Sequence, residues 1–214
     1  MLNIERFVCN MFQENCYVVS DAGSDCVIID CGAFYDEEQA AIAQYIETRG
    51  LRPVRLVATH GHIDHNFGNG FIYSRYGLAP EVHEADERLM NSLNEQSMMF
   101  IGMPVRDVLP PVGAYLHDGD SIDFGSHSLA VIATPGHSAG SAFLYCEQEN
   151  IAFSGDTLFR MSIGRTDLET GSYDDIIKSL AAIARRLPDE TLILPGHGPK
   201  TTLADEKRMN PYLR

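Results

Sequence analysis

Val54-Arg55-Leu56-Val57-Ala58-Thr59-His60-Gly61-His62-Ile63-Asp64-His65 is the stretch that decides the reading of this chain. Its first half, Val54 to Thr59, is short, β-branched and largely apolar, the pattern of a buried strand. Its second half packs three histidines and an aspartate into six residues. Lone-pair donors at that density, around a glycine that lets the backbone turn sharply, are what a metal site requires. The donors are therefore expected at the C-terminal edge of a strand.

The same arrangement recurs further along. The apolar run Leu129 to Thr134 leads into Pro135-Gly136-His137, Asn150 to Gly155 delivers Asp156, and Thr191 to Gly196 delivers His197. Taken singly, a histidine after Pro-Gly is ordinarily a turn residue, and an aspartate after Ser-Gly a cap or turn carboxylate. Together with the first cluster they make one donor set: His60, His62, Asp64, His65, His137, Asp156 and His197. Seven donors exceed what one tetrahedral zinc can use, so the count itself argues for two metals. His83, His117 and His127 have no such context and are read as surface or hydrogen-bonding residues.

Outward from these motifs, strands are expected from Ile4 to Val8, Cys16 to Ser20 and Cys26 to Asp30, with a turn at Asp21-Ala22-Gly23-Ser24. A helix should follow, capped by Asp36 with Gln39 three positions later, carrying Ile42, Tyr45 and Ile46 on one face and ending at Gly50. A second helix is expected after His65 up to Tyr76, stopped by Gly77, and a third from Glu84 to Phe100, rich in methionine. Asp118-Gly119 and Phe124-Gly125 punctuate short strands. Ser172 with Asp175 signals the cap of a helix through Ile176, Ile177, Leu180, Ile183 and Leu187, stopped by Pro188.

At 214 residues, 44% hydrophobic and 21% charged, the chain is long enough for a well-packed core and lacks the composition of a disordered protein. With no linker, charge block or repeat, residues 1–214 are expected to form one domain. Neither a secretory apolar segment nor a membrane span is evident, so a cytoplasmic location is expected. Five cysteines without a Cys-x-x-Cys pair fit buried thiols better than a disulfide frame. The net charge of −14 works against nucleic acid as a partner, because that binding relies on cations that neutralise phosphates.

In order and spacing, His60, His62, Asp64, His65, His137, Asp156 and His197 resemble the metal motif of the metallo-β-lactamase superfamily. The resemblance extends from about Phe7 to Tyr212 and implies an α/β fold, the four-layer αβ/βα sandwich, with two mixed sheets face to face and helices outside. It also implies that His60, His62 and His137 hold one divalent metal, that Asp64, His65 and His197 hold a second, and that Asp156 bridges them. Zinc is the first expectation, and iron or manganese also suit such donors. A bridging hydroxide would be the nucleophile, making Asp64, His60, His62, His137 and Asp156 catalytic residues.

Within the superfamily the chain looks most like glyoxalase II, the hydroxyacylglutathione hydrolases, in a short form lacking the C-terminal helical segment. Asp156 stands where β-lactamases have Cys or Ser, and His62 where diiron flavoproteins have Glu. The substrate so implied is a small-molecule thioester, whose thiolate leaves without a strong general acid. The loop Gly164-Arg165-Thr166-Asp167 departs from the glyoxalase II pattern, with Arg165 in place of a Lys that contacts substrate and Asp167 where an aromatic is expected. That loop resembles the persulfide dioxygenases, in which two His and one Asp, here His60, His137 and Asp156, hold one iron. A non-catalytic metal-binding protein is the third reading.

Overall fold

The computed structural model describes residues 1–213. Strands β1 (Asn3–Cys9), β2 (Glu14–Ser20), β3 (Asp25–Ile29), β4 (Arg52–Val57), β5 (Pro80–His83) and β6 (Ala114–Leu116) form one mixed sheet in sequential order. The first three pair antiparallel and the rest are parallel. The second sheet has the order β14-β13-β10-β9-β8-β7, built from β7 (Ser121–Phe124), β8 (His127–Ala133), β9 (Ala142–Cys146), β10 (Ile151–Gly155), β13 (Leu192–Pro195) and β14 (Thr201–Thr202). Here only β10 and β13 run parallel. A small ribbon of β11 (Leu158–Phe159) and β12 (Ser162–Ile163) lies between β10 and the later helices in sequence.

Alternation along the strands sets the layers, since successive side chains point to opposite faces of a sheet. Val27 and Ile29 of β3 pack with Val131, Leu144 and Phe153 of the second sheet in the central core. Their neighbours Cys26 and Ile28 turn outward onto Ile42 and Ile46 of helix α1 (Asp36–Thr48) and Ile72 of α2 (Asn69–Tyr76). On the far side, Phe143, Ala152 and Ile193 pack against Ile176, Leu180 and Ile183 of α5 (Tyr173–Arg186) and Leu203 of α6 (Leu203–Met209). The result is helix, sheet, sheet, helix, as the resemblance implied. All five cysteines are free and buried. Among the described residues no helix is long and apolar enough to cross a membrane.

Three helix expectations need correction. Asp36 is the first residue of α1 and not its cap. Tyr35 is the cap, and its N–H donates to Glu38 (3.1 Å), which also accepts from the N–H groups of Phe34 (2.8 Å) and Asn10 (2.7 Å) and so pins the chain entering the helix. Gln39 instead donates its amide to the Ala33 carbonyl and to Asp107.

The helix expected directly after His65 begins only at Asn69, because Ile63–His65 form a 3-10 turn and Gly68 must lie against Cys31; a Cβ at Gly68 would sit 2.6 Å from that sulfur. The long helix expected from Glu84 is broken into a 3-10 turn, Glu84–Asp86, then α3 (Glu87–Asn91) and α4 (Leu93–Ile101). The break has a cause. It points Asp86 inward, and it lets Gln96 accept from the Ile63 N–H and donate to the carbonyls of Gly61 and Leu89.

Candidate metal centre

All seven donors predicted from sequence converge where the strands of the two sheets end. The loop after β4 presents His60 and His62 and its 3-10 turn Asp64 and His65, while the loops after β8, β10 and β13 present His137, Asp156 and His197. The donor atoms of His60, His62 and His137 lie within 4.8 Å of one another, and so do those of Asp64, His65 and His197. Asp156 lies between the groups. Its Oδ1 is 3.3 Å from His65 Nε2, and its Oδ2 is 3.6 Å from His137 Nε2 and 3.5 Å from His197 Nε2.

Hydrogen bonds fix which ring nitrogen of His60, His137 and His197 faces the site. His137 Nδ1–H donates to the Arg165 carbonyl at 2.7 Å and His197 Nδ1–H to the Phe12 carbonyl at 3.1 Å, so Nε2 is the free lone pair of both. Thr59 Oγ1 donates to Asp30 Oδ2 at 2.8 Å and accepts from His60 Nδ1 at 3.1 Å. His65 Nδ1 lies 3.1 Å from the same Asp30 oxygen. His62 turns its Nδ1 inward, 2.8 Å from His137 Nε2. Two nitrogens this close cannot both be protonated.

Charge divides the cluster. Burial, together with the imidazoles of His65, His137 and His62, holds His60 well below the usual histidine range, and burial beside His137 brings His62 down to about 4. Burial also opposes a charge on His65, but Asp156, Asp64 and Asp30 outweigh it and push His65 well up. Conversely, burial opposes ionisation of Asp64 and Asp156, and His65 and His197 overcome it, so both carboxyls sit low. His60 Nε2, His65 Nε2 and Asp156 Oδ1 are buried without a hydrogen-bond partner in the protein. Unpartnered polar atoms of this kind are costly, and divalent cations held by this donor set would satisfy them.

Several residues that sequence reasoning gave no role hold the loops in place. Asp86, fully buried, accepts from the Gly61 N–H (2.8 Å), the Ser138 hydroxyl (2.7 Å) and the Gly140 N–H (2.7 Å), joining the loops of His62 and His137. Asn15 donates to the carbonyls of Pro195 and Gly198, each at 2.9 Å, on either side of His197. Glu14 is wholly buried beside His65, and burial raises its carboxyl well above the usual range. None of these three carries a local sequence signal; Asp30, a carboxylate at the end of the apolar run Val27 to Ile29, does.

A cleft of about 280 Å³ opens onto the donors and is lined otherwise by Phe12, Ile63, Phe100, Phe159, Arg165 and Leu168. Arg165 thus lines the cleft. Its guanidinium, however, forms a two-point pair with Asp167 at 2.7 and 2.8 Å. Gly164 is equally constrained, since a Cβ there would lie 1.9 Å from the Asp156 carbonyl oxygen.

Facing mixed sheets clad in helices, with histidines and aspartates gathered at one edge, define a metal-dependent hydrolase. The chain belongs to the metallo-beta-lactamase superfamily, whose family model matches residues 9–197. It is 34% identical to the hydroxyacylglutathione hydrolase GloC of Haemophilus influenzae, over 99% of this chain and 98% of that one. Among solved structures it is similar to TTHA1623 in a di-iron-bound form (33% identity, TM-score 0.85, 98% of this chain and 100% of that one). It is also similar to the BLEG-1 B3 metallo-beta-lactamase (30% identity, TM-score 0.89, 100% of this chain and 99% of that one).

Proposed function

We propose that the protein is a dinuclear hydrolase of small-molecule thioesters, of the hydroxyacylglutathione hydrolase type. His60, His62 and His137 would hold one divalent ion, Asp64, His65 and His197 the other, and Asp156 would be shared. The position of the Asp156 carboxylate between the two groups supports two ions, as does the likeness to a protein solved in a di-iron-bound form. Bound there, the ions would lower the pKa of a shared water toward neutrality and polarise the carbonyl under attack.

The observation that carries the choice of thioester is the lining of the cleft. Apart from the proposed ligands it offers, among the described residues, only apolar side chains and the permanently charged Arg165. No side chain is free to protonate a leaving group. An amine needs that proton; a thiolate, whose parent thiol has a pKa near ~8.5, does not. The chain's own residues then orient the ligands through Asp30, Asp86 and the Phe12 and Arg165 carbonyls, and shield the reacting carbonyl with Phe12, Phe100 and Phe159. Similarity to GloC points the same way.

The Arg165 loop favours a second reading, a mononuclear iron persulfide dioxygenase using His60, His137 and Asp156. One set of measurements separates the two. Metal analysis on protein from its native host is expected to give two ions per chain, with hydrolysis of S-lactoylglutathione or other thioesters at equal rates with and without oxygen. A single iron, and turnover of glutathione persulfide that stops without oxygen, would establish the dioxygenase instead.

A further inference from the structure

The cleft has a chemical character that the metal ligands do not explain. Phe12 from the β1–β2 turn, Phe100 from the end of α4 and Phe159 from β11 reach it from three separate segments, joined by Leu168 from the loop before α5. Phe12 and Phe100 remain 38% and 39% exposed. Large aromatic side chains left partly in water, converging on a reaction centre, gain stability only when an apolar group covers them.

Anion recognition is correspondingly poor. Among the described residues the one permanently cationic side chain lining the cleft is Arg165, and Asp167 pairs with its Nε and Nη2, an ion pair that holds Asp167 down to about 2 and offsets the arginine's charge. A guanidinium whose charge is offset by a carboxylate within hydrogen-bond distance keeps donors but attracts a substrate carboxylate or phosphate less strongly than a free one. The chain as a whole carries −14, which disfavours the approach of an anionic thiol carrier at low ionic strength, outside the immediate reach of the metal site. At about 280 Å³ the cleft is near the lower end of the ~300–1,000 Å³ common for small-molecule sites. It has room for an acyl group, with the thiol portion lying outside.

We infer that the site selects thioesters by an apolar acyl or aryl group held among Phe12, Phe100, Phe159 and Leu168, on an uncharged thiol, and not by the carboxylates of glutathione. This rests on the hydrolase reading only for the reaction, and the reaction itself is plain hydrolysis: water adds to the carbonyl carbon, the carbon–sulfur bond breaks, and a carboxylate, a thiol and a proton leave. Recognition can be measured without turnover.

The test uses unreactive thioethers and calorimetry on the full chain, chelated and metal-loaded: S-methyl- and S-hexyl-N-acetylcysteamine, and S-hexylglutathione. S-Hexyl-N-acetylcysteamine is expected to bind at least ~10-fold more tightly than the S-methyl compound. It should also bind more tightly than S-hexylglutathione, by a factor that shrinks as salt is raised. Phe100→Ala, and Phe12→Leu should the first not fold, are expected to compress the hexyl-to-methyl ratio at least ~5-fold. Asp167→Asn, by freeing Arg165, should narrow the gap to S-hexylglutathione.

Equal binding of methyl and hexyl compounds, or preference for S-hexylglutathione in the unaltered chain, overturns the inference. If the binding pattern is as stated but matched N-acetylcysteamine and glutathione thioesters are not hydrolysed by the metal-loaded protein, the hydrolase reading fails and the recognition stands.

Discussion

Asp86 accepts the backbone N–H of Gly61 at 2.8 Å across 25 positions of sequence, and so ties the break before α3 to the turn that presents His60 and His62. The same carboxylate holds Ser138 and Gly140 beside His137. Asp86→Ala strands three buried donors, each costing about 1–3 kcal/mol. Denaturant unfolding of the chelated protein is expected to show a loss of several kcal/mol. Asp86→Asn keeps one acceptor oxygen and should fold, with metal affinity lowered about 10–100-fold in a titration. Unchanged affinity in folded Asp86→Asn would falsify the positioning role.

Asp30 acts on two histidines at once, through Thr59 on His60 and directly at His65. Asp30→Ala removes the group that orients both Nδ1 atoms. Metal affinity should fall about 10–100-fold, and Thr59→Val, which cuts only the His60 branch, should fall by less. Competition against a chromophoric chelator gives both values.

Removing metal should expose how much the site stabilises the fold. A cation present at ~1,000 times its dissociation constant adds about 4 kcal/mol, which in a chain of this size corresponds to roughly 10 °C in melting temperature. Differential scanning calorimetry with and without chelator measures it, and equal melting temperatures would argue against a metal centre formed by these residues.

Acid sensitivity should also come from a carboxylate far from the centre. Asp21 accepts from the Ser126 hydroxyl and N–H and from the Gly23 N–H, which together bring it down to about 2. A folded pKa below the unfolded ~3.9 gives stability that is fully present above pH ~4 and lost as pH falls through 2. Asp21→Asn should therefore be less stable than the parent at pH 7, and the difference should shrink below pH 4. Urea unfolding across that range tests it.

Gly164 separates a packing requirement from a chemical one. Its Cα faces the Asp156 carbonyl so closely that no side chain fits without moving backbone. Gly164→Ala is expected to lose most metal binding although it alters no donor, and a crystal structure of the variant should show Asp156 displaced.

The strands that deliver donors were legible in the sequence because each is a short β-branched run cut off by Gly, Pro or a polar residue. Local pattern was enough there, and the donor set followed from it. The path from Glu84 to Ile101 was not legible. Its composition suits one helix, and the break arises from bonds that Asp86 and Gln96 make to Gly61 and Ile63, which no local window contains. Asp30 is legible only as the end of a strand, and its positioning role is not, because its partner Thr59 lies 29 residues away. Arg165 was visible as a cation near the site, but its pairing with Asp167 emerges only when the loop is folded.

The donors are divided along the chain. His60, His62, Asp64 and His65 follow β4 of the first sheet, whereas His137, Asp156 and His197 follow strands of the second, and the first sheet ends at Leu116. During synthesis, a ribosome that has released the first sheet has released only four of the seven donors, with no partner for His60 and His62 on the opposite side. Tight metal capture would then be among the last events in maturation, after His197 has emerged, and a growing chain would be poorly equipped to sequester a cation prematurely.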